Sequence, residues 1–378
     1  MLMPPRVLRY VLPALVATAL LAGCKKEKEN QPAPPDPFAD WTPLPAPPHA
    51  RVGGAMLGLR DGRRLYVGGR TEAGGQILGT DLYTPATRTW TSVGNGLAGS
   101  GFLFEATNGD VFAYGGNLGG GGTSGFIFRL PSGRTDWDYL GQIGGFGTGV
   151  GLWGGAEMSG NRAVFCGYKQ LAVWTGDSLK LAPNNYNPDR FYGATLVALG
   201  LNTPDERLAV VGGFDSQRNA SIGGVEVLTV PPPGSITFGA SPQLARNGSA
   251  FCNALALDAN RLLLLGGKGI GGGTRSNGMP PFEVNLITQT GIRRDSLINS
   301  ATTSTISQEN SVTLLRRVDG QLYGLDQTYD NVGLYNPATR RWQSFSYPST
   351  YYIDTPGVAV LGNALVVNVG GTLYSRTF

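Results

Sequence analysis

The sequence predicts an all-β protein made from one four-strand unit repeated seven times. Three observations carry this expectation. Glycine accounts for 58 of 378 residues, roughly twice the usual ~7%, which marks a chain dense in turns. The segment Leu82-Tyr83-Thr84-Pro85-Ala86-Thr87-Arg88-Thr89-Trp90 returns as Leu334-Tyr335-Asn336-Pro337-Ala338-Thr339-Arg340-Arg341-Trp342, with seven of nine positions identical. Apolar runs ending in paired glycines also recur, at Leu65 to Gly69, Val111 to Gly116, Leu208 to Gly213, Leu262 to Gly267 and Val366 to Gly371. Two weaker copies, Ala163 to Gly167 and Leu322 to Asp326, fill the gaps in phase.

Each element of the unit has its own chemistry. The runs are four to eight residues of Val, Leu, Ile, Tyr and Phe, separated by Gly, Asn and Asp, which is strand and turn composition. One unit reads as an apolar run, a short turn, the run ending in Gly-Gly, a loop, an aromatic run, and a turn often followed by Trp. Such a period signals a repeat architecture. It resembles the kelch repeat over Trp41 to Phe378, and the resemblance implies a seven-bladed β-propeller spanning residues 38–378. The third copy departs from the pattern with Cys166-Gly167, and the sixth with Leu325-Asp326. The diglycine is expected to let crowded backbones approach, the late Trp to pack between blades, and the Pro-Ala-Thr turns to join outer strands. Thr372 to Phe378 supplies a third strand without a fourth, and Trp41 to Pro45 a fourth strand without the first three. Pairing the two closes the ring and removes its sheet edges.

The N-terminus precedes this domain with a different composition. Arg6 and Arg9 lead into an apolar run from Val11 to Ala22, too short for the ~20 residues that span a bilayer. It ends Leu21-Ala22-Gly23-Cys24, which resembles the bacterial lipobox. The resemblance implies a signal peptide over 1–23, a lipidated Cys24, and an extended Pro-rich tether over 24–37. The charged cluster Lys25 to Glu29 resembles the export tags of Bacteroidetes surface lipoproteins, though those are more acidic. The expected address is the outer membrane, on its periplasmic or its outer surface. Cys166 and Cys252 read as small buried hydrophobes.

Several activities are excluded by composition. A net charge of +4 gives no basic field for nucleic acid. The single histidine, His49, excludes a copper oxidase of the galactose oxidase type, and no CxxC or paired-His zinc spacing is present. The glycine stretches Gly119 to Gly122 and Gly269 to Gly273 lack the Lys-Ser/Thr of a phosphate loop. No cofactor is expected, and the chain is expected to be monomeric.

Binding groups remain. Arg51, Arg190 and Arg246 each stand just before a first strand, where three guanidiniums converging on the channel mouth suit a carboxylate or sugar acid. Their replacement is expected to leave stability nearly intact. Loops of the same end add Tyr186, Asp215, Tyr329 and Tyr352, aromatic and polar groups fitted to a sugar. The leading expectation is a lipid-anchored, non-enzymatic binding module for a glycan or an envelope protein. The alternative is a kelch-type sugar enzyme such as a sialic-acid mutarotase, with Glu309, Asp326 or Asp354 as acid and base.

Overall fold

The computed structural model describes residues 39–51, 54–96, 101–115, 125–143, 154–167, 170–181, 192–215, 220–221, 225–229, 237–238, 253–265, 269–271, 274–276, 282–288, 290–293, 312–316, 322–326, 331–336, 341–346, 358–361, 364–369 and 371–377. Every regular element among them is a strand. No helix long and apolar enough to cross a membrane occurs among the described residues. Asp40–Phe378 forms one compact unit, and residues 1–39 fall in another.

A two-residue strand, β1 (Thr42–Pro43), comes first. The first sheet then runs β2 (Ala55–Gly58), β3 (Arg64–Val67), β4 (Gly79–Thr84) and β5 (Thr89–Asn95). The second holds β6 (Gly101–Glu105), β7 (Val111–Gly115), β8 (Gly125–Leu130) and β9 (Asp138–Ile143). The third holds β10 (Gly154–Met158), β11 (Arg162–Gly167), β12 (Gln170–Trp174) and β13 (Leu179–Leu181). In the fourth, β14 (Tyr192–Leu199) and β15 (Arg207–Asp215) precede a short β16 (Ala220–Ser221), then β17 (Val225–Thr229) and β18 (Thr237–Phe238).

The fifth sheet holds β19 (Asn253–Asp258) and β20 (Arg261–Leu265), and a separate hairpin of β21 (Gly269–Gly271) and β22 (Thr274–Ser276) interrupts it before β23 (Phe282–Asn285) and β24 (Thr290–Arg293). The sixth holds β25 (Val312–Arg316), β26 (Leu322–Asp326), β27 (Asn331–Asn336) and β28 (Arg341–Ser346). The last sheet takes β29 (Val358–Leu361), β30 (Ala364–Val369) and β31 (Thr372–Thr377), and its fourth strand is β1, with Thr42 opposite Ser375 and Pro43 opposite Tyr374.

All strand pairings among the described residues are antiparallel, and within each sheet, β1 with β31 apart, they follow chain order, so neighbouring strands need only short connections. The first strands lie beside one another in sequence: β2 packs on β6, β6 on β10, β10 on β14, β14 on β19, β19 on β25, β25 on β29, and β29 on β2. Apolar side chains therefore fill the spaces between sheets. In β3 all four residues are buried, because its alternate side chains meet different neighbours. Leu65 and Val67 join Val111 and Ala113 of the second sheet. Tyr66 faces the other way, onto Val366 and Leu373 of the last. A strand covered on both faces reads as a continuous apolar run, which is why Leu65-Tyr66-Val67 stands out in the sequence.

The aromatic residues bind sheets together. Phe165 of β11 lies 5.7 Å from Phe112 and 5.4 Å from Tyr114, both on β7. Trp137, just before β9, donates its Nε1–H to Thr80 Oγ1 of β4 at 3.1 Å. Trp90 of β5 packs toward Val366 and Leu373. The paired glycines have a conformational reason beyond crowding: Gly68 and Gly69 sit at φ of 68° and 95°, where only glycine is relaxed. Cys166 is buried.

Candidate functional site

Each meander has two ends. In the first sheet the β2–β3 and β4–β5 turns lie at one end. The β3–β4 connection (68–78) and the described residues 44–51 of the segment running from β1 to β2 lie at the other, here called the loop end. Carboxylates at the turn end are occupied in joining neighbouring hairpins. Glu105 Oε2 accepts from Arg60 N–H at 2.7 Å, Glu157 accepts from Thr107 N–H and Oγ1–H, and Glu206 Oε1 accepts from Ser159 N–H at 2.6 Å. Arg162 adds an ion pair to Glu206 at 2.8 Å.

The loop end of the first sheet carries a built polar cluster. The chain arrives there along β31, where Leu44 N–H donates to Leu373 O at 2.8 Å. Trp90 Nε1–H holds Pro45 O at 2.8 Å. These anchors deliver His49 and Arg51 to the ends of β3 and β4. Arg51 turns inward, its side chain 0% exposed. Nε–H donates to His49 O at 3.0 Å, and Nη1–H reaches Gly68 O at 2.8 Å, Gly79 O at 2.9 Å and Tyr66 O at 3.3 Å. Nη2–H donates to Asp81 Oδ2. The guanidinium also lies 4.7 Å from the centre of the Tyr66 ring.

Asp81, equally buried, accepts on both oxygens. Oδ2 takes Arg51 and the His49 backbone N–H at 3.2 Å, and Oδ1 lies 2.8 Å from His49 Nδ1. Asn368 of β30 donates from Nδ2 to Arg51 O at 3.2 Å and to the Tyr66 hydroxyl, tying in the last sheet. Burial is the largest influence on both flanking groups. It pulls the Arg51 guanidinium below its ordinary value against the opposing pull of Asp81, and it pushes the Tyr66 phenol up to about 12.

The His49 side chain remains 40% exposed. Its ring rests on Gly79, where an added Cβ would come within 2.7 Å of Cε1 and 2.9 Å of both nitrogens. That separation is closer than packed atoms tolerate, so the glycine makes room for the imidazole. The arrangement is a rigid acidic and basic core that holds one polar ring at the protein surface.

The expected site residues fare differently. Arg51 is found inside, with every nitrogen taken up by protein acceptors, so it presents no donor to a ligand. The reason is the strong demand of Asp81 and four carbonyls for a buried cation. Asp215 ends β15, opposite Ala220 of β16. Asp326 ends β26, opposite Asn331. Arg190, Arg246, Tyr186, Tyr329, Tyr352, Glu309, Asp354 and the expected lipidation residue Cys24 lie outside the described residues. No cluster of three or more His, Cys, Asp or Glu suited to a metal occurs among the described residues.

His49 and Asp81 were not expected as partners, being 32 positions apart. One signal was available. In the nine-residue repeat, the position before Leu82 is Asp81, whereas the position before Leu334 is Gly333. A charged residue replacing a repeat glycine marks a place where one copy does something its relative does not.

No protein-family model matches the sequence, and no curated protein matches it. Among solved structures, the chain is similar to selenomethionine-substituted virginiamycin B lyase from Staphylococcus aureus. The TM-score is 0.53 at 10% identity, covering 89% of this chain and 99% of that one. A catalytically inactive variant of the same lyase with quinupristin gives a TM-score of 0.52 at 11% identity, covering 89% and 98%. At such identity the likeness speaks to fold alone: the chain has a β-propeller-like, all-β architecture.

Proposed function

We propose that this chain is a lipid-anchored cell-envelope protein, with Cys24 as the lipidated residue, whose propeller binds a glycan or an envelope protein through the loop end of its sheets. In this reading the seven sheets are kelch-like blades of one ring closed by β1 and β31. The side-by-side packing of successive first strands supports it. So does the anchoring of residues 42–45 on both β31 and Trp90.

One observation carries the choice of face. Among the described residues, the fourth and fifth sheets extend beyond their meanders only at the loop end. There β15 runs on to Asp215 and pairs with β16, and β16 packs against β21 of the extra hairpin. Extra structure that contributes nothing to the four-strand core is characteristic of loops that carry function on a rigid scaffold. Asp215 stands on this extension. Arg190, Arg246, Tyr186, Tyr329 and Tyr352, in connections of the same kind, complete the proposed ligand surface. Outer-membrane location is part of the proposal and rests on the lipobox-like Leu21-Ala22-Gly23-Cys24.

The test is a glycan and sugar-acid array probed with the protein and with a variant whose residues 269–276 are replaced by a Gly-Ser linker. Cross-linking in intact envelopes runs beside it. A specific glycan or protein partner that the variant loses is the expected result. Equal capture by both proteins would overturn the choice of face.

A further inference from the structure

We propose that His49 is a proton-accepting site, a general base whose Nε2 acts on a hydroxyl or water at the loop end of the first sheet. The inference goes beyond the binding reading and does not depend on it.

The argument starts from Asp81. Its carboxylate is paired with the Arg51 guanidinium and wholly buried, so it is ionised and can only accept hydrogen bonds. The 2.8 Å contact between Asp81 Oδ1 and His49 Nδ1 therefore requires the hydrogen on Nδ1. In the neutral ring the lone pair is then on Nε2, the nitrogen that no described residue contacts through a hydrogen bond.

Three restraints keep it there. The His49 backbone N–H and the ring hold the same carboxylate. Arg51 fixes that carboxylate, itself locked by the carbonyls of Tyr66, Gly68 and Gly79. The ring face lies on the bare Cα of Gly79. Because Arg51 already answers the charge of Asp81, the carboxylate serves the ring as an orienting acceptor. Asp81 and Arg51 are thus positioning residues, and His49 is the group that meets the ligand. A base presented in one tautomer and one orientation is what proton transfer from a hydroxyl needs. A histidine serving only to pin the chain would gain nothing from a side chain 40% exposed.

Because the chain has one histidine, two whole-protein measurements read this residue alone. The first is nitrogen NMR of the intact chain labelled at histidine. Hydrogen on Nδ1 with a bare Nε2 is expected in the neutral ring; hydrogen on Nε2 overturns the proposal. The second uses p-nitrophenyl acetate. His49 Nε2 takes a proton from water as the water oxygen attacks the ester carbonyl, the acyl C–O bond breaks, p-nitrophenolate leaves with its electron pair, the acetic acid formed ionises to acetate, and the ring returns its proton to solvent.

His49→Gln should lower protein-dependent release at least about tenfold, a modest share of the ~10²–10⁴ that a positioned base supplies to its own substrate. Gly79→Ala keeps the histidine but displaces the ring, and should lose the rate likewise while the fold melts as a single unit. An unchanged rate in His49→Gln overturns the proposal, and so does an unchanged rate in Gly79→Ala.

Discussion

Arg51 and Asp81 form an ion pair with both side chains wholly removed from water, and that pair, rather than a ligand, is where the first of the three expected arginines is used. Two charges out of water hold only while both are present. Removing one leaves the other uncompensated at about 3–5 kcal/mol.

Asp81→Asn, which strands the guanidinium, and Arg51→Ala, which strands the carboxylate, should therefore each lower unfolding stability by about 3–5 kcal/mol in urea. This reverses the expectation that Arg51, Arg190 and Arg246 could be replaced together without loss. A change below about 1 kcal/mol for either variant would contradict the ion-pair account.

Arg64 is the opposite case. It is buried, its guanidinium lies 5.1 Å from the Tyr83 ring centre, and its Nε and Nη1 have no hydrogen-bond partner among the described residues. Burial lowers it to about 10. Arg64→Met keeps the stem and removes the unpaired charge, at the loss of ~0.5–1 kcal/mol of ring attraction. A net gain of about 1–3 kcal/mol is expected. A lowered melting temperature would contradict it.

The arriving N-terminal segment should matter to the whole Asp40–Phe378 unit. Trp41 is buried beneath Arg376 at 6.0 Å, and Arg376 pairs with Asp40 at 3.1 Å. Trp41→Ala should cost about 3–5 kcal/mol, and Trp90→Phe, which loses the bond to Pro45, about 0.5–1.5 kcal/mol. Calorimetry should show one transition shifted down in both. A separate early transition would mean that the segment melts alone.

Alkaline pH gives a signed test. Tyr66 ionises near 12 in the fold against an ordinary 10.0. Between these values the unfolded chain has released a proton that the folded chain keeps, so stability falls as pH rises through that window. Arg64 acts with the opposite sign, since its folded value lies below its unfolded one. The comparison is therefore Tyr66→Phe against the parent. The variant should lose less stability between pH 10 and 12, and equal slopes would contradict the assignment.

Much of the fold was legible because the repeat writes it several times. The turn at Pro85 to Arg88 joins β4 to β5, and in the second copy of the nine-residue segment Leu334 to Asn336 falls on β27 and Arg341-Trp342 on β28. The diglycine closes β3 as read, whereas β15 runs two residues past its own pair to Asp215, and the positive φ of these glycines was not apparent from spacing. The polar cluster was hidden for a different reason. It joins His49, Asp81 and Asn368, which is 317 positions from Arg51. Local pattern says nothing about partners brought together by pairing the two chain termini. Arg51 was read as outward because an arginine before a strand is usually solvated, and nothing nearby in sequence reveals the carboxylate that draws it in.

The claim that ligands meet the loop end is tested most directly by hydrogen exchange on the protein with and without its array-selected partner. The account predicts slowed exchange in residues 44–51, 68–78, 212–221 and 269–276. Exchange in the turn-end hairpins at 59–63, 107–110 and 159–161 should stay unchanged. Protection confined to those hairpins, or to the outer strands β5, β9 and β13, would contradict it.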